Sequence, residues 1–367
     1  MHDLADWLRL TSTPGLGPTT QRALLAAFGL PERVFAAGHS AVAGVVGREA
    51  ALLLDTPLDD QRLDHTLTWL ETPGNHIVTL ADPAYPKSLL EIADPPVLLY
   101  VTGNPSVLAT PALAIVGARS ATRQGEETAQ AFSRALAEAG LTIVSGLALG
   151  IDAAAHQGAL AAKPGLTIAV TGTGADRVYP ARHRKLAHAI AEHGAIVSEY
   201  PLGTPPLPHN FPRRNRLIAG LSAGVLVVEA ALNSGSLITA RLAAEGGREV
   251  FAIPGSIHSP TARGCHRLIR DGAKLVETAA DVLDELRWSR NRQQDAPRAA
   301  GQTTLSELAD DDPQTAAVLV QIGFDPVDID TLATRSGLTV DALYAILTPL
   351  ELAGRIARMP GGRFQRI

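Results

Sequence analysis

The segment Glu199–Gly220 gathers the side chains best suited to grip an anion. It reads Glu-Tyr-Pro-Leu-Gly-Thr-Pro-Pro-Leu-Pro-His-Asn-Phe-Pro-Arg-Arg-Asn-Arg-Leu-Ile-Ala-Gly, and no acidic residue occurs from Tyr200 through Val228. Arg213, Arg214 and Arg216 crowd beside Phe211 and Asn215. A guanidinium meets phosphate and an aromatic ring stacks on a base, so the combination suits single-stranded nucleic acid. A solvated loop around a core phenylalanine is the plainer alternative. Against it, a proline-rich loop this long is costly to order and is usually functional. A second basic stretch sets Arg263, Arg267, Arg270 and Lys274 against Asp271 alone.

Four glycine-bearing turns could supply backbone donors to the same anion. They are Gly117-Ala118-Arg119-Ser120, Ser145-Gly146 through Asp152, Thr171 through Asp176, and Asn233-Ser234-Gly235-Ser236 through Thr239. Glycine lets a ligand approach the backbone, and helix N-termini aim N–H groups at anions. One such turn would be explained by tight strand-to-helix geometry alone; four, with an arginine among them, favour a phosphate groove.

Catalytic patterns are missing. There is no Walker A sequence. Gly172-x-Gly174 lacks the third glycine of a dinucleotide turn, and Arg177 stands in its place. The eleven histidines show no HExxH-type metal spacing, and the single cysteine, Cys265, rules out an intrachain disulfide and thiol-rich zinc sites. Asp152, Asp176 and Glu229 are the nearest acidic candidates. Structural roles are expected for all three, with Asp152 standing where a helix N-cap belongs. Cys265 and His266 are taken as structural. No metal and no cofactor is expected.

These turns must be carried by strands and helices. Apolar runs occur at Leu113–Val116, Leu141–Val144, Leu166–Val170, Ala195–Val197, Val225–Val228 and Val250–Ile253. Helical patterns separate them at Arg123–Ala139, Asp152–Ala162, Arg182–His193 and Ser236–Glu245. Strands apolar throughout, alternating with helices, predict a doubly wound α/β domain with a parallel sheet covered on both faces. Its ligand site should lie at the carboxyl ends of the strands. Short strand-like runs at His76–Leu80 and Val97–Val101 precede it.

The flanks differ. Residues 1–72 read as short helices, with Pro14-Gly15-Leu16-Gly17-Pro18 before a helix over Thr19–Phe28. That turn resembles half of a helix-hairpin-helix able to hold a phosphate, or is a plain helix-helix turn with proline at the first helical position. Residues 73–287 form the α/β domain. Residues 288–315 read as a polar linker. Residues 316–367 read as a winged helix: Ile329–Ser336, a turn at Gly337–Thr339, Val340–Leu352, then a hairpin of Arg355–Arg358 and Arg363–Ile367. The helix Val340–Leu350 offers Asp341, Tyr344 and Thr348 but no Arg or Lys, so it should repel phosphate. Arg355, Arg358, Arg363 and Arg366 could touch a backbone, but a protein-contact role is favoured.

Of the 367 residues, 46% are hydrophobic and 19% charged, which excludes a disordered or fibrous chain. The net charge of −5 argues against nucleic acid only if local patches are ignored. Lys occurs only at 87, 163, 185 and 274, a bias best explained by genome composition. The acidic start, Met1 to Asp6, does not read as a signal peptide, and no apolar run is long enough to span a membrane. A soluble, cytoplasmic protein is expected.

Several quoted segments together resemble the DprA/Smf family, the DNA-processing proteins of natural transformation. They are Ser145-Gly-Leu-Ala-Leu-Gly-Ile-Asp-Ala-Ala-Ala-His156, Tyr179-Pro-Ala-Arg182, Ser198-Glu-Tyr-Pro201, Asn210-Phe-Pro-Arg-Arg-Asn-Arg216, Ser234-Gly-Ser-Leu-Ile-Thr-Ala240, Pro254-Gly-Ser256 and Gly264-Cys-His266. The resemblance implies an extended Rossmann-like domain flanked by an N-terminal helical domain, of helix-hairpin-helix or SAM-like type, and a C-terminal winged helix. It implies a homodimer that binds single-stranded DNA, protects it and loads RecA recombinase in the presence of single-strand-binding protein, in transformation or repair; the missing catalytic patterns add the expectation that it is not an enzyme. The family's phosphate pocket maps onto Gly117, Ala118, Arg119, Ser145, Gly146, Phe211, Arg213, Arg214, Asn215, Arg216 and Ser236. Its dimer and recombinase surface maps around Gly264–Val276, with His266, Arg270 and Leu275. The alternative is a phosphoribohydrolase-like Rossmann enzyme, but no carboxylate is spaced like that family's catalytic Glu in Asn233–Thr239.

Overall fold

The computed structural model describes residues 2–57, 59–288, 313–322, 327–352, 355–359 and 363–366. The chain divides into two compact units, Met1–Gln293 and Gln294–Ile367.

The first unit opens with six helices: His2–Ser12 (α1), Pro18–Phe28 (α2), Pro31–Ala36 (α3), His39–Val46 (α4), Arg48–Leu53 (α5) and Asp60–Leu70 (α6). Proline stands at the start of α2 and of α3, where a missing N–H costs nothing. Leu10, Leu24, Val34 and Leu54 pack into the core of this bundle. Trp7 and Leu8 instead share a core with Val97, Leu98 and Tyr100 of the following domain. That shared core is why residues 1–72 and 73–287 form one packed unit.

Among the described residues twelve strands are formed, nine of them in one sheet. Asn75–Thr79 (β1) and Leu98–Gly103 (β2) lead into Ala112–Val116 (β3), Thr142–Ser145 (β4), Thr167–Val170 (β5), Ala195–Ser198 (β6), Gly224–Val227 (β7), Glu249–Ala252 (β8) and Lys274–Leu275 (β9). The sheet order is β1-β2-β6-β5-β4-β3-β7-β8-β9. Pairing is parallel from β6 to β9, while β1 and β2 are added antiparallel. Helices Arg123–Glu138 (α7), Ile151–Ala161 (α8), Arg184–His193 (α9), Asn210–Gly220 (α10), Ser236–Glu245 (α11), Arg263–Arg270 (α12) and Ala279–Glu285 (α13) complete the unit. Two apolar cores lie on the sheet, one with Leu113, Ile115, Ile143 and Phe251, the other with Ala114, Val144, Val170 and Val225. Successive residues of one strand face opposite cores, as the pleat demands. The fully apolar strands of the sequence are thus buried on both sides. Strand order reverses between β3 and β7, which places the ligand crevice of a doubly wound sheet there.

One expectation fails locally. The segment read as a proline-rich loop up to Gly220 becomes helix α10 from Asn210. Pro212 falls in its first turn, where it is tolerated. Its buried face mixes Arg214 and Arg216 with Leu217 and Ile218, so no apolar period marks it in the sequence.

The second unit contains Pro313–Ile322 (α14), Val327–Asp328 (β10), Ile329–Ser336 (α15), Val340–Leu352 (α16), Ile356–Met359 (β11) and Arg363–Arg366 (β12). The three strands form a sheet in the order β10-β12-β11. Asp328 caps α15 by accepting from the Thr331 N–H, and Gly337 ends it in the left-handed region at φ 69°. This is the winged helix read from the sequence. Of the expected linker 288–315, residues 289–312 lie outside the described residues, and 313–315 open α14. Among the described residues, no helix is long and apolar enough to cross a membrane.

Candidate nucleic-acid interface

A groove of about 440 Å³ opens at the carboxyl edge of the sheet, at the reversal between β3 and β7. One wall is the turn Gly117-Ala118-Arg119-Ser120 that follows β3; the opposite wall is Asn233-Ser234-Gly235-Ser236, before α11. Phe211, Arg214 and Asn215 of α10 form its third side. The turn after β3 is pressed against α8 and β7. A Cβ on Gly117 would lie 2.6 Å from Ile151 Cγ1 and 2.9 Å from the Glu229 carbonyl oxygen, so only glycine fits. Asn215 donates through Nδ2 to the Gly235 carbonyl oxygen at 3.3 Å, tying α10 to the α11 turn.

The groove is equipped for an anion. The N-cap residues of α8, α10 and α11 give no side-chain cap, and the leading N–H groups are held locally instead: Ile151 donates to the Ala118 carbonyl oxygen, Asn210 to that of Leu207, and Ser236 to the Ser234 hydroxyl. Arg119 is exposed, with its guanidinium carbon 5.5 Å from the centroid of the Phe211 ring. Among the described residues it forms no ion pair. Arg214 lines the same groove from below. It is buried, donates to the Val170 carbonyl oxygen, and lies near the Asp152 carboxylate. Burial pushes Asp152 above its ordinary value, opposed by the Arg214 charge and by N–H donation from Ala148 and Gly146.

Four residues assigned to the pocket from sequence lie elsewhere. Ser145 is wholly buried and donates to the Ile115 carbonyl oxygen at 2.6 Å. Gly146 makes room for Arg214: a Cβ there would lie 2.0 Å from Nη1. Arg216 is buried between two carboxylates, with Nε 3.0 Å from Asp94 and Nη2 against Glu199. Arg213 faces a different cavity, of about 390 Å³, shared with Glu199 and the Gly15-Leu16-Gly17 turn. Three residues apart, Arg213 and Arg216 share a face of α10, and Glu199 draws both to that side. The turn itself is held by buried Gln21, whose Nε2 donates to the carbonyl oxygens of Leu16 and Leu10. Thr239, at the end of the fourth glycine-bearing turn, lines the groove as read; sequence reasoning missed Thr261 on the groove wall, and it missed Tyr179, whose ring lies 5.5 Å from that of Phe211. The Tyr179–Arg182 segment carried the signal for the last.

The acidic candidates are all engaged. Asp152 is not the N-cap of α8, which is Gly150; it sits one residue inside and reaches back to the Gly146 and Ala148 N–H groups. Asp176 accepts from the Gly203 N–H at 2.9 and 3.0 Å. Glu229 accepts from the Thr122 N–H and hydroxyl, and Thr122 in turn caps α7 through the Gly125 N–H. Burial raises the Cys265 thiol to about 12, leaving it un-ionised. Among the described residues no cluster of His, Cys, Asp or Glu is placed to hold a metal ion. At the far edge of the sheet, β9 pairs only with β8 among the described residues, and Leu275 on it is 45% exposed. Arg270 is exposed at the end of α12, and the His266 ring lies 2.9 Å from the Gly255 carbonyl oxygen.

Comparison with known proteins decides the family. A family model described as DNA recombination-mediator protein A matches residues 76–287, and one described as DprA winged helix domain matches residues 302–362. The chain belongs to the DprA/Smf family. Protein Smf of Escherichia coli (strain K12) is 43% identical over 325 residues, covering 87% of this chain and 84% of that protein. The DNA processing protein DprA of Streptococcus pneumoniae (strain ATCC BAA-255 / R6) is 49% identical over 210 residues, covering 57% of this chain and 74% of that protein. The X-ray structure of Streptococcus pneumoniae DprA superposes with a TM-score of 0.67 at 39% identity, over 77% of this chain and 97% of that one. A Helicobacter pylori DNA processing protein A, whose structure was described for its unique single-stranded DNA binding mode, superposes with a TM-score of 0.53 at 33% identity, over 58% of this chain and 96% of that one. DprA/Smf membership accounts for the extended sheet and the winged helix in one chain.

Proposed function

We propose that this chain is a single-stranded-DNA-binding recombination mediator that protects incoming DNA and hands it to RecA recombinase in the presence of single-strand-binding protein. The observation that carries the reading is Arg119: an exposed cation with no carboxylate partner among the described residues, set beside the Phe211 ring on the groove wall. A phosphate bound there gains a charge-assisted contact, while its base stacks on the ring. The Helicobacter pylori relative, described as binding single-stranded DNA, supports it. The contact set is Gly117, Ala118, Arg119, Phe211, Asn215 and Ser236, with Arg214 acting from beneath. Ser145, Gly146 and Arg216 serve the fold instead, and Arg213 faces the neighbouring cavity. The mediator works as a homodimer through the β9 edge and, with its acidic candidates occupied in structural bonds, consumes no nucleotide.

Affinity for single-stranded and duplex DNA should be titrated against salt. Each neutralised phosphate contributes about −0.7 to the log-log slope on a single strand. Arg119→Ala should weaken binding to all sequences alike and flatten the slope by about that amount. Unchanged affinity in a folded Arg119→Ala protein would remove the groove from the binding site.

A further inference from the structure

Beside the groove lies a second cavity, of about 240 Å³, which the contact set above leaves unused. Arg119 lines both cavities. The other side chains that give the second one its polar character are Gln157, Arg182, His183 and Glu126. Tyr179 is 46% exposed, and its ring extends the aromatic surface of Phe211 at a centroid distance of 5.5 Å and an angle of 38°. The same short segment then delivers Arg182 and His183 to the second cavity. The His183 Nδ1 donates to the Leu147 carbonyl oxygen at 3.0 Å, which pins the ring at the wall.

The segment that supplies Arg182 and His183 is basic. From Arg177 through Ala191 the chain carries Arg177, Arg182, His183, Arg184, Lys185 and His188 and no acidic residue. Among the described residues none of them forms an ion pair. Arg184 and Lys185 also open α9, at the positive end of its dipole, with no acidic residue in the first turn. Cations there are unfavourable unless an anion is close.

We propose that this cavity and Tyr179 form a second nucleotide subsite, in which the base next to the one on Phe211 stacks on Tyr179 and the linking phosphate lies between Arg119 and Arg182. The proposal rests on the single-stranded DNA reading and extends it from one contact to a path. Glu126, the carboxylate in the cavity, opposes the phosphate and limits affinity.

Oligothymidylates of increasing length, measured by fluorescence anisotropy, test it. Tyr179→Ala and Arg182→Ala should each weaken binding of long oligonucleotides about tenfold and leave the shortest that bind unchanged. Tyr179→Phe, which keeps the ring, should bind as wild type. Arg182→Ala should also lower the salt slope by about 0.7, and Glu126→Gln should tighten long oligonucleotides only. Wild-type affinity at every length in Tyr179→Ala and Arg182→Ala, with Arg119→Ala still defective, overturns the second subsite alone. Equal loss at every length in Tyr179→Ala also overturns it, because the ring then acts only by supporting Phe211. Failure of the unaltered protein to bind single-stranded DNA sinks both readings together.

Discussion

At the scale of single residues, His156 shows how burial fixes a protonation state. Thr167 donates its hydroxyl to the Ile143 carbonyl oxygen at 2.7 Å, so it must accept from His156 Nδ1, also at 2.7 Å. The proton therefore sits on Nδ1, and Nε2 is buried without a hydrogen-bond partner. Burial, helped by the charges of Arg214 and His183, lowers the ring's pKa to about 3. An unfolded histidine titrates near about 6.5, so the unfolded chain binds the proton first. The stability this neutral ring contributes is complete above about 6.5 and is lost as the pH falls toward about 3. Urea midpoints measured at falling pH should show it. His156→Gln should flatten the acid limb by up to about 1.4 kcal/mol per pH unit. An acid limb of unchanged steepness in that variant would mean that other groups govern it.

At the scale of elements, α10 does two jobs with one short sequence. Phe211 and Asn215 face the groove, while Arg216 locks the helix to the strand edge through Glu199 and Asp94. Glu199 is almost fully buried, so its charge is tolerable only beside a cation. Arg216→Ala should therefore cost about 3–5 kcal/mol of stability, the penalty for stranding a buried charge. Chemical denaturation measures it directly. A protein of wild-type stability that has lost DNA binding would instead return Arg216 to the phosphate contacts. Much of this was illegible beforehand. The residues of the arginine cluster could be named, but adjacent helix positions point in different directions, and only the helix and its neighbours assign each arginine to groove, core or neighbouring cavity.

At the scale of the whole molecule, the sheet has an unpaired edge at β9. Among the described residues β9 has no second neighbour, and Leu275 on it is exposed. Open apolar edges are covered in stable proteins, and a second copy can do so with two-fold symmetry. Leu275→Arg would bury an unpaired charge in such a contact, so light scattering should report a monomer with unchanged helix content. Affinity for long single strands should fall too, because two linked grooves gain from effective concentration. A variant that remains dimeric would move the interface away from β9.

The sequence by itself determined the α/β alternation, the winged helix, the family, and the edge of the sheet at which the groove opens. These depend on local period and on residue types at turns, which are written along the chain. Helix α11 spans Ser236–Glu245 in both readings, because its polar turn and apolar face are contiguous. Only the tertiary structure decided which polar residues reach that site. Ser145 and Arg216 have the right chemistry, yet each is spent on a partner distant in sequence, Ile115 for one and Glu199 with Asp94 for the other. Tyr179 and Arg119 are far apart in the chain, and both come to Phe211 through the folding of β3, β5 and α10 around one edge. Hydrogen bonding and burial compete for every polar group, and the winner depends on neighbours that the linear pattern does not record.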